Sequence, residues 1–287
     1  MIKYFVVSDI HSFYDPLIKA LNDKGFDFNN KEHKLIICGD AFDRGDDTVK
    51  VFSFLKEMQS QNRLIYIMGN HEELLFECYA EICQGYSPSN HHVHNGTVKT
   101  ISMLCGETSD YHLYCHGEES IKNVIEKTQE LRDFIHQYCV DYFTLGNKIF
   151  VHSWIPCKIK GMDYTWNPIY IGVSDLWDKN PNTLNEKDFK LYNSEWSQAR
   201  WDNPFLKWKN KSYPENKCIV FGHFHTSYGH SRIDMKCKEW PQKNQNNWQE
   251  AFKPWIKENA IGLDSCVAYS GFINCIVFDE EGNLLDQ

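Results

Sequence analysis

Basic residues are in deficit: 30 Lys and Arg stand against 39 Asp and Glu, a formal charge of -9 over 287 residues. That shortage argues against a chain that coats nucleic acid or an anionic membrane, because counterion release needs a broad basic surface. A small basic pocket in an acidic surface remains compatible with it. No apolar run approaches the roughly 18 residues of a membrane-spanning helix. No CxxC pair occurs, so neither a zinc ribbon nor a thioredoxin motif is encoded. The eleven cysteines are odd in number and scattered, several inside apolar runs such as Ile36-Ile37-Cys38. Buried reduced thiols of a cytoplasmic protein are the expectation. The opening residues, Tyr4 to Val7 running into Ser8-Asp9, lack the cationic start, long greasy stretch and small cleavage site of a secretory leader. With only 16 Gly and 9 Pro, and 42% apolar residues, a packed core is expected rather than a fibrous or disordered chain. No repeat or linker composition marks a boundary. Residues 1–287 therefore read as one domain, with insertions at about 73–140 (helical), 155–215 (Trp-rich) and 232–258 (a polar loop).

What is present begins with alternating strand and helix signals. Tyr4-Phe5-Val6-Val7 predicts a strand that ends at Ser8-Asp9-Ile10-His11. Asp15-Pro16 supplies a cap and first-turn proline for a helix carrying Leu17, Ile18 and Leu21, stopped by Gly25. Leu35 to Cys38 predicts a second strand ending at Gly39-Asp40, and Asp47 caps a helix with Val51, Phe54, Leu55 and Met58 on one face. Leu64 to Met68 predicts a third strand, ending at Gly69-Asn70. The unit is βαβαβ, so a parallel sheet with right-handed crossovers is expected. Each strand ends in a polar cluster: Asp9/His11, Asp40/Asp43/Arg44, and Asn70/His71/Glu72. Ligand sites in open α/β sheets collect at the carboxyl ends of strands, so these clusters should meet.

Further along, helices are expected to open with Leu74, Leu75, Glu77 and Tyr79 and to run near 118–139, with a solvated histidine-rich loop (His91, His92, His94) between them. Asp141 to Leu145 and Lys148 to His152 predict a hairpin across Gly146-Asn147. Lys217 to Phe221 is a strand running into Gly222-His223-Phe224-His225, and Gly271 to Phe278 has strand character. Residues 155–215 and 232–258 read as loop-like. Their neighbourhood holds Trp154, Trp166, Trp177, Trp196, Trp201 and Trp208, for which core packing is a stronger expectation than an aromatic substrate platform.

Taken together, the strand-end residues offer oxygen and imidazole donors without thiolate, a set suited to two divalent ions such as manganese, iron or zinc. Two ions about 3.5–4 Å apart need a shared ligand and could activate a bridging water. Asp40, from the middle strand, is placed to be that bridge.

The pattern Asp9-Ile-His11, Gly39-Asp-Ala-Phe-Asp-Arg-Gly45, Gly69-Asn-His-Glu72, His152 and Gly222-His223 resembles the metallophosphoesterase superfamily, specifically its PPP-type, bacterial serine/threonine protein phosphatase-like members. The likeness extends through Asn95-Gly96, Ala199-Arg200-Trp201 and Leu263 to Tyr269. It implies an α/β sandwich of two mixed β-sheets flanked by helices, with helical and loop insertions. It also implies two divalent metal ions, manganese first with iron and zinc as alternatives: one held by Asp9, His11 and Asp40, the other by Asp40, Asn70, His152 and His223. A metal-bridging hydroxide would attack phosphorus in line, His71 would act as general acid aimed by Asp43, and Arg44 and Arg200 would hold phosphoryl oxygens. Ser8 and Ser12 depart from the family, standing where its members usually have glycine. Phe224-His225 replaces the usual Thr-Pro; His225 resembles the second histidine of Gly-His-x-His in the wider superfamily and is an additional candidate ligand.

The function so implied is phosphomonoester hydrolysis, with phosphoserine or phosphothreonine protein as the expected substrate and a small phosphate ester as the other partner. The alternative within the same chemistry is symmetrical cleavage of dinucleoside polyphosphates. From another class, the chain could be a metal-binding scaffold without catalysis, against which the presence of His71, Asp43 and Arg44 speaks. Neither a nucleic-acid nor a membrane partner is expected.

Overall fold

The computed structural model describes residues 1–114, 117–162 and 168–285. Twelve strands are found among them: β1 Lys3–Val7, β2 His33–Cys38, β3 Leu64–Ile67, β4 Cys139–Val140, β5 Phe143–Leu145, β6 Lys148–Phe150, β7 Cys157–Met162, β8 Pro168–Val173, β9 Cys218–Phe221, β10 Trp255–Lys257, β11 Ala260–Gly262 and β12 Ile276–Asp279. The longer helices are α1 Tyr14–Asp23, α2 Thr48–Ser60, α3 Asn70–Cys83, α4 Asn90–Asn95, α5 Thr97–Leu104, α6 Glu118–Tyr138, α7 Glu186–Trp201 and α8 Pro204–Lys209.

One sheet has the order β12-β1-β2-β3-β4, the other β10-β11-β9-β6-β5. In the first, β1, β2, β3 and β4 run parallel and β12 pairs antiparallel with β1. In the second, β9 runs parallel to β6 and to β11, while β5 and β10 pair antiparallel at the edges. Both sheets are mixed, as expected, and the βαβαβ unit and the hairpin across Gly146-Asn147 are in place.

The period of two along each strand sorts side chains between two apolar layers. Val6, Ile36, Cys38 and Ile67 meet Phe150, Val220, Ile261 and Phe278 between the sheets. Their alternates Phe5, Val7, Leu35 and Ile37 pack on the other face with Leu17, Leu21, Val51, Leu55, Leu131 and Phe134 of α1, α2 and α6. On the far side of the second sheet, Ile149, Val151, Ile219 and Phe221 pack with Trp196, Ala199 and Phe205 of α7 and α8. Burial on both faces explains why the central strands are continuous apolar runs.

The insertions hold more structure than their composition indicates. The histidine-rich stretch is not a loop: α4 spans Asn90–Asn95 and stops at Gly96, whose φ of +89° lets its amide bond back to the His92 and Val93 carbonyls. His92 is buried beside Glu81, at 3.5 Å, although His91 and His94 are exposed. Residues 155–215 contain the β7–β8 ribbon, α7 and α8. Trp154 and Trp196 are buried in the core and Trp177 and Trp208 pack against it, whereas Trp201 is exposed; Trp166 lies outside the described residues. α1 begins one residue before Asp15, after Phe13, and Asp47 stands at the start of α2 without a side-chain capping bond, paired instead with Lys50 at 2.7 Å. Among the described residues no disulfide is formed; Cys115 is not one of them. No helix among those residues is long and apolar enough to cross a membrane.

Candidate active site

The ends of β1, β2, β3, β6 and β9 converge, each delivering the residues that follow it. Asp9 and His11 follow β1, Asp40 follows β2, Asn70 and His71 open α3 after β3, His152 follows β6 and His223 follows β9. Local backbone is bent to achieve this. Asp9, His11, Asp40, Asp43, Arg44 and His223 all adopt left-handed φ between +50° and +73°, a costly conformation for residues with a Cβ and one that surrounding structure must enforce. The β1 and β2 loops are stitched together by amide bonds from Asp9 to Gly39, His11 to Asp40 and Ser12 to Ala41 carbonyls. Ser12, at φ +59°, tolerates a position suited to glycine while its hydroxyl bonds to Thr48 at 2.9 Å. Close approach fixes Gly69 and Gly222: a Cβ on the first would fall 2.2 Å from Asp40 Oδ1, on the second 2.1 Å from Asp9 Oδ2.

Glu72 holds the centre of this arrangement. Its carboxylate accepts the amides of Asp40 (2.9 Å), Ala41 (2.9 Å) and Gly69 (2.8 Å) and the Tyr66 hydroxyl (2.6 Å). One buried anion therefore binds the turn after β2 to the turn after β3. Asp40 is aimed inward as a result, its Oδ1 also accepting the His71 amide at 3.0 Å.

Around Asp40 two groups of potential ligand atoms form, His11 with Asp40 and His71, and Asp40 with His152 and His223, the atoms of each lying within 4.8 Å of one another. Asp40 is common to both. The hydrogen-bond pattern fixes what those atoms offer. His152 Nδ1 lies 2.9 Å from the Cys38 carbonyl, which can only accept, so Nδ1 carries the proton and Nε2 presents a lone pair. That lone pair faces Asn70 Oδ1 at 2.7 Å, His223 Nδ1 at 3.2 Å and Asp40 Oδ1 at 3.4 Å. His11 repeats the arrangement: Nδ1 donates to the Phe42 carbonyl at 2.9 Å, and Nε2 faces Asp40 Oδ2 at 3.8 Å. Acceptors crowded on acceptors repel unless a cation stands among them. The donor set therefore fits divalent metal, with the second ring nitrogen of His152 and of His11 held by a backbone carbonyl as such ligands require.

The titration behaviour carries the same message. Burial, reinforced by Asp264 and Asp40, pushes the Asp9 carboxyl well above its ordinary value; both its oxygens accept the His223 amide, at 3.1 and 3.0 Å. Burial, with His152 alongside, takes His223 down to about 3, and burial with Arg44 and His71 lowers His11. Both are neutral imidazoles, ready to coordinate.

His71 is set apart from the other histidines. Its Nδ1 is 2.7 Å from Asp43 Oδ2, and Asp43 is held by the Thr97 hydroxyl (2.8 Å) and by the Thr100 hydroxyl (2.7 Å). Burial would lower the His71 pKa, but Asp40 and Asp43 prevail and raise it. Arg44, exposed at the mouth, places Nη2 3.2 Å from His71 Nε2. The expected His71–Asp43 pair and the adjacent arginine are thus brought together.

Two expected residues are not. Arg200, expected on the phosphoryl group, is instead clamped between Glu73 and Asp141 by ion pairs. His225 turns away: its ring packs 4.3 Å from Trp240, and Nδ1 bonds Ser227 at 2.6 Å. Neither candidate metal group includes it.

Three features went unassigned in the sequence. Thr97 and Thr100 share one face of α5 by their i, i+3 spacing, just after Asn95-Gly96, but only the fold brings α5 to Asp43. Asp264, buried after β11, has its carboxyl raised to about 6 by burial, against opposing help from the Cys266 amide and Arg44. It obeys the same strand-end rule that located Asp9 and Asp40, and that rule would have found it. Glu72 was visible within its motif but carried no role. Replacing Glu72 with Ala leaves three buried amides and a tyrosine hydroxyl without an acceptor, and at about 1–3 kcal/mol for each orphaned group the loss should reach several kcal/mol. Chemical denaturation should show that loss, and metal titration a fall in affinity at both groups; an unchanged midpoint would deny Glu72 its central role.

A family model for calcineurin-like phosphoesterases matches residues 2–227, a span that includes every strand-end residue from Asp9 to His223. Among curated proteins, an asymmetrical bis(5'-nucleosyl)-tetraphosphatase of Bacillus velezensis is 29% identical over 79 residues, 25% of this chain and 32% of that protein. A symmetrical bis(5'-nucleosyl)-tetraphosphatase of Proteus mirabilis is 33% identical over 78 residues, 27% of each chain. The matches thus span about a third or less of the length of these relatives. A solved structure, a cold-active protein-tyrosine phosphatase of a psychrophilic Shewanella species, is similar at 14% identity over 98% of this chain and 76% of that one, with a TM-score of 0.45. The chain belongs to the calcineurin-like phosphoesterase family.

Proposed function

We propose that this protein hydrolyses phosphoric esters at a centre of two divalent metal ions, manganese being the first candidate. The observation that carries the reading is Asp40, shared between two groups of inward-facing donors, with Nε2 of His11 and of His152 turned toward it. His11 and Asp40, with Asp9, would hold one ion; Asp40, Asn70, His152 and His223 would hold the other. Ions bound there supply Lewis acidity toward the phosphoryl group and toward an attacking water.

The side chains beside them do the remaining work. Asp43, fixed by Thr97 and Thr100, keeps a proton on His71 Nδ1 and favours the imidazolium. In that form Nε2–H donates to the departing oxygen. The 3.2 Å contact from Arg44 to Nε2 belongs to the neutral ring; two donors cannot share it, so Arg44, exposed and long, moves to the phosphoryl oxygens as His71 protonates. Asn70 keeps the site more positive than an aspartate there would. Arg200, paired with Glu73 and Asp141, is given no part in this reading.

Two substrate classes are supported. Phosphoserine or phosphothreonine protein follows from the motif resemblance, and dinucleoside polyphosphate from the names of the curated relatives. A side-by-side assay of a phosphopeptide, p-nitrophenyl phosphate, a phosphodiester and diadenosine tetraphosphate separates them: turnover of the tetraphosphate to two equal products selects the second class, turnover of the peptide the first, and turnover of none rejects the reading.

Asp40→Asn should empty both metal positions in elemental analysis, and loss of a single ion would mean that Asp40 is not the bridge. His71→Asn should retain both ions while kcat falls by roughly 10²–10⁴ on esters with poor leaving groups, and less on p-nitrophenyl phosphate. Because the acid must be protonated, wild-type kcat should decline as pH rises through the raised His71 pKa. A profile whose alkaline limb is unchanged in His71→Asn would remove His71 from that role.

A further inference from the structure

An aromatic pair at the lip of the second donor group has no part in the chemistry so far. Trp201, the last residue of α7, is 40% exposed although it borders the buried site. Its ring centre is 6.4 Å from that of His223, at 83°. The exposed ring of His91, on α4, lies 5.8 Å from the same indole at a tilt of 35°. The indole is pinned rather than loose: its N–H points to Glu73 Oε2 at 3.3 Å, and the Trp201 backbone is hydrogen-bonded to the His223 ring. The ring is thereby locked in position relative to a proposed metal ligand. Trp154 and Trp196 bury their rings fully in the core. A large ring held half in water beside a phosphate site forgoes burial energy, and a rigid aromatic surface of that kind is preorganised for stacking.

We propose that Trp201, with His91, is a base-stacking subsite for a nucleotide whose phosphate sits at the two donor groups. The inference rests on the hydrolytic reading above and deepens it by naming nucleotides as the substrate class. A nucleobase is planar and stands one sugar away from its phosphate, a separation that suits an indole bordering His223. Phosphoserine and phosphothreonine side chains carry no ring to place there.

Calorimetry on the full chain with Mn²⁺ tests this without relying on turnover, comparing AMP, ribose 5-phosphate, phenyl phosphate and inorganic phosphate. AMP should bind at least about fivefold more tightly than ribose 5-phosphate, the lower end for stacking of one base. Trp201→Ala should bring AMP to the affinity of ribose 5-phosphate, and Trp201→Phe should keep most of the difference. Equal binding of AMP and ribose 5-phosphate by the wild type, or an equal loss for both in Trp201→Ala, overturns the subsite. Phenyl phosphate gaining as much as AMP assigns the surface to aryl esters and overturns the base. Failure of all four compounds to bind, inorganic phosphate included, overturns the hydrolytic reading itself, a result distinct from the others.

Discussion

A single buried carboxylate sets the geometry on which everything else rests. Glu72 has no solvent to stabilise its charge, and burying an anion is tolerated only when its lone pairs are filled. Three backbone amides and the Tyr66 hydroxyl fill them. Because two of those amides belong to Asp40 and Ala41 and the third to Gly69, satisfying Glu72 and placing Asp40 are the same event. The left-handed backbone at Asp9, His11, Asp40, Asp43 and Arg44 is then held by structure that could not relax without stranding that charge.

The electrostatics of the site run against those of the chain. A protein of net charge -9 gathers Asp9, Asp40 and Asp264 into one buried region, and burial and mutual repulsion raise two of the three carboxyls. Neutral imidazoles add lone pairs, not charge. Divalent ions, as the family implies, would resolve the conflict by supplying the positive charge that the side chains withhold. On the proposed reading Arg44, 3.2 Å from His71, would supplement them, while Arg200 is paired with Glu73 and Asp141. On that reading, substrate attraction would depend more heavily on bound metal than a count of arginines in the sequence indicates.

Residues close to regular strands were legible and those in the insertions were not. Asp9, Asp40, Asn70, His152 and His223 each follow an apolar run whose period and length identify a strand, and a strand fixes where its last side chain is delivered. The His71–Asp43 pair was legible for the same reason, both lying within a few residues of β3 and β2. Arg200 sits on α7, whose rotation is set by Tyr192, Trp196 and Ala199 packing on the second sheet; nothing local shows that this turns the guanidinium toward Glu73 and Asp141. His225 lies only two residues from His223, but Trp240, from a stretch read as a polar loop, captures its ring.

The sequence by itself determined the sheet architecture and the chemical identity of the donors, because both follow from short-range facts: side-chain period, strand ends and the absence of thiolate from the motifs. Tertiary structure alone decided which donors lie within reach of one another, that Arg200 is paired with Glu73 and Asp141 while Arg44 lies beside His71, and that an indole borders His223. Those outcomes depend on contacts between residues separated by up to 214 positions, such as the His223 amide on Asp9, and no local pattern encodes the direction in which a distant helix presents its side chains.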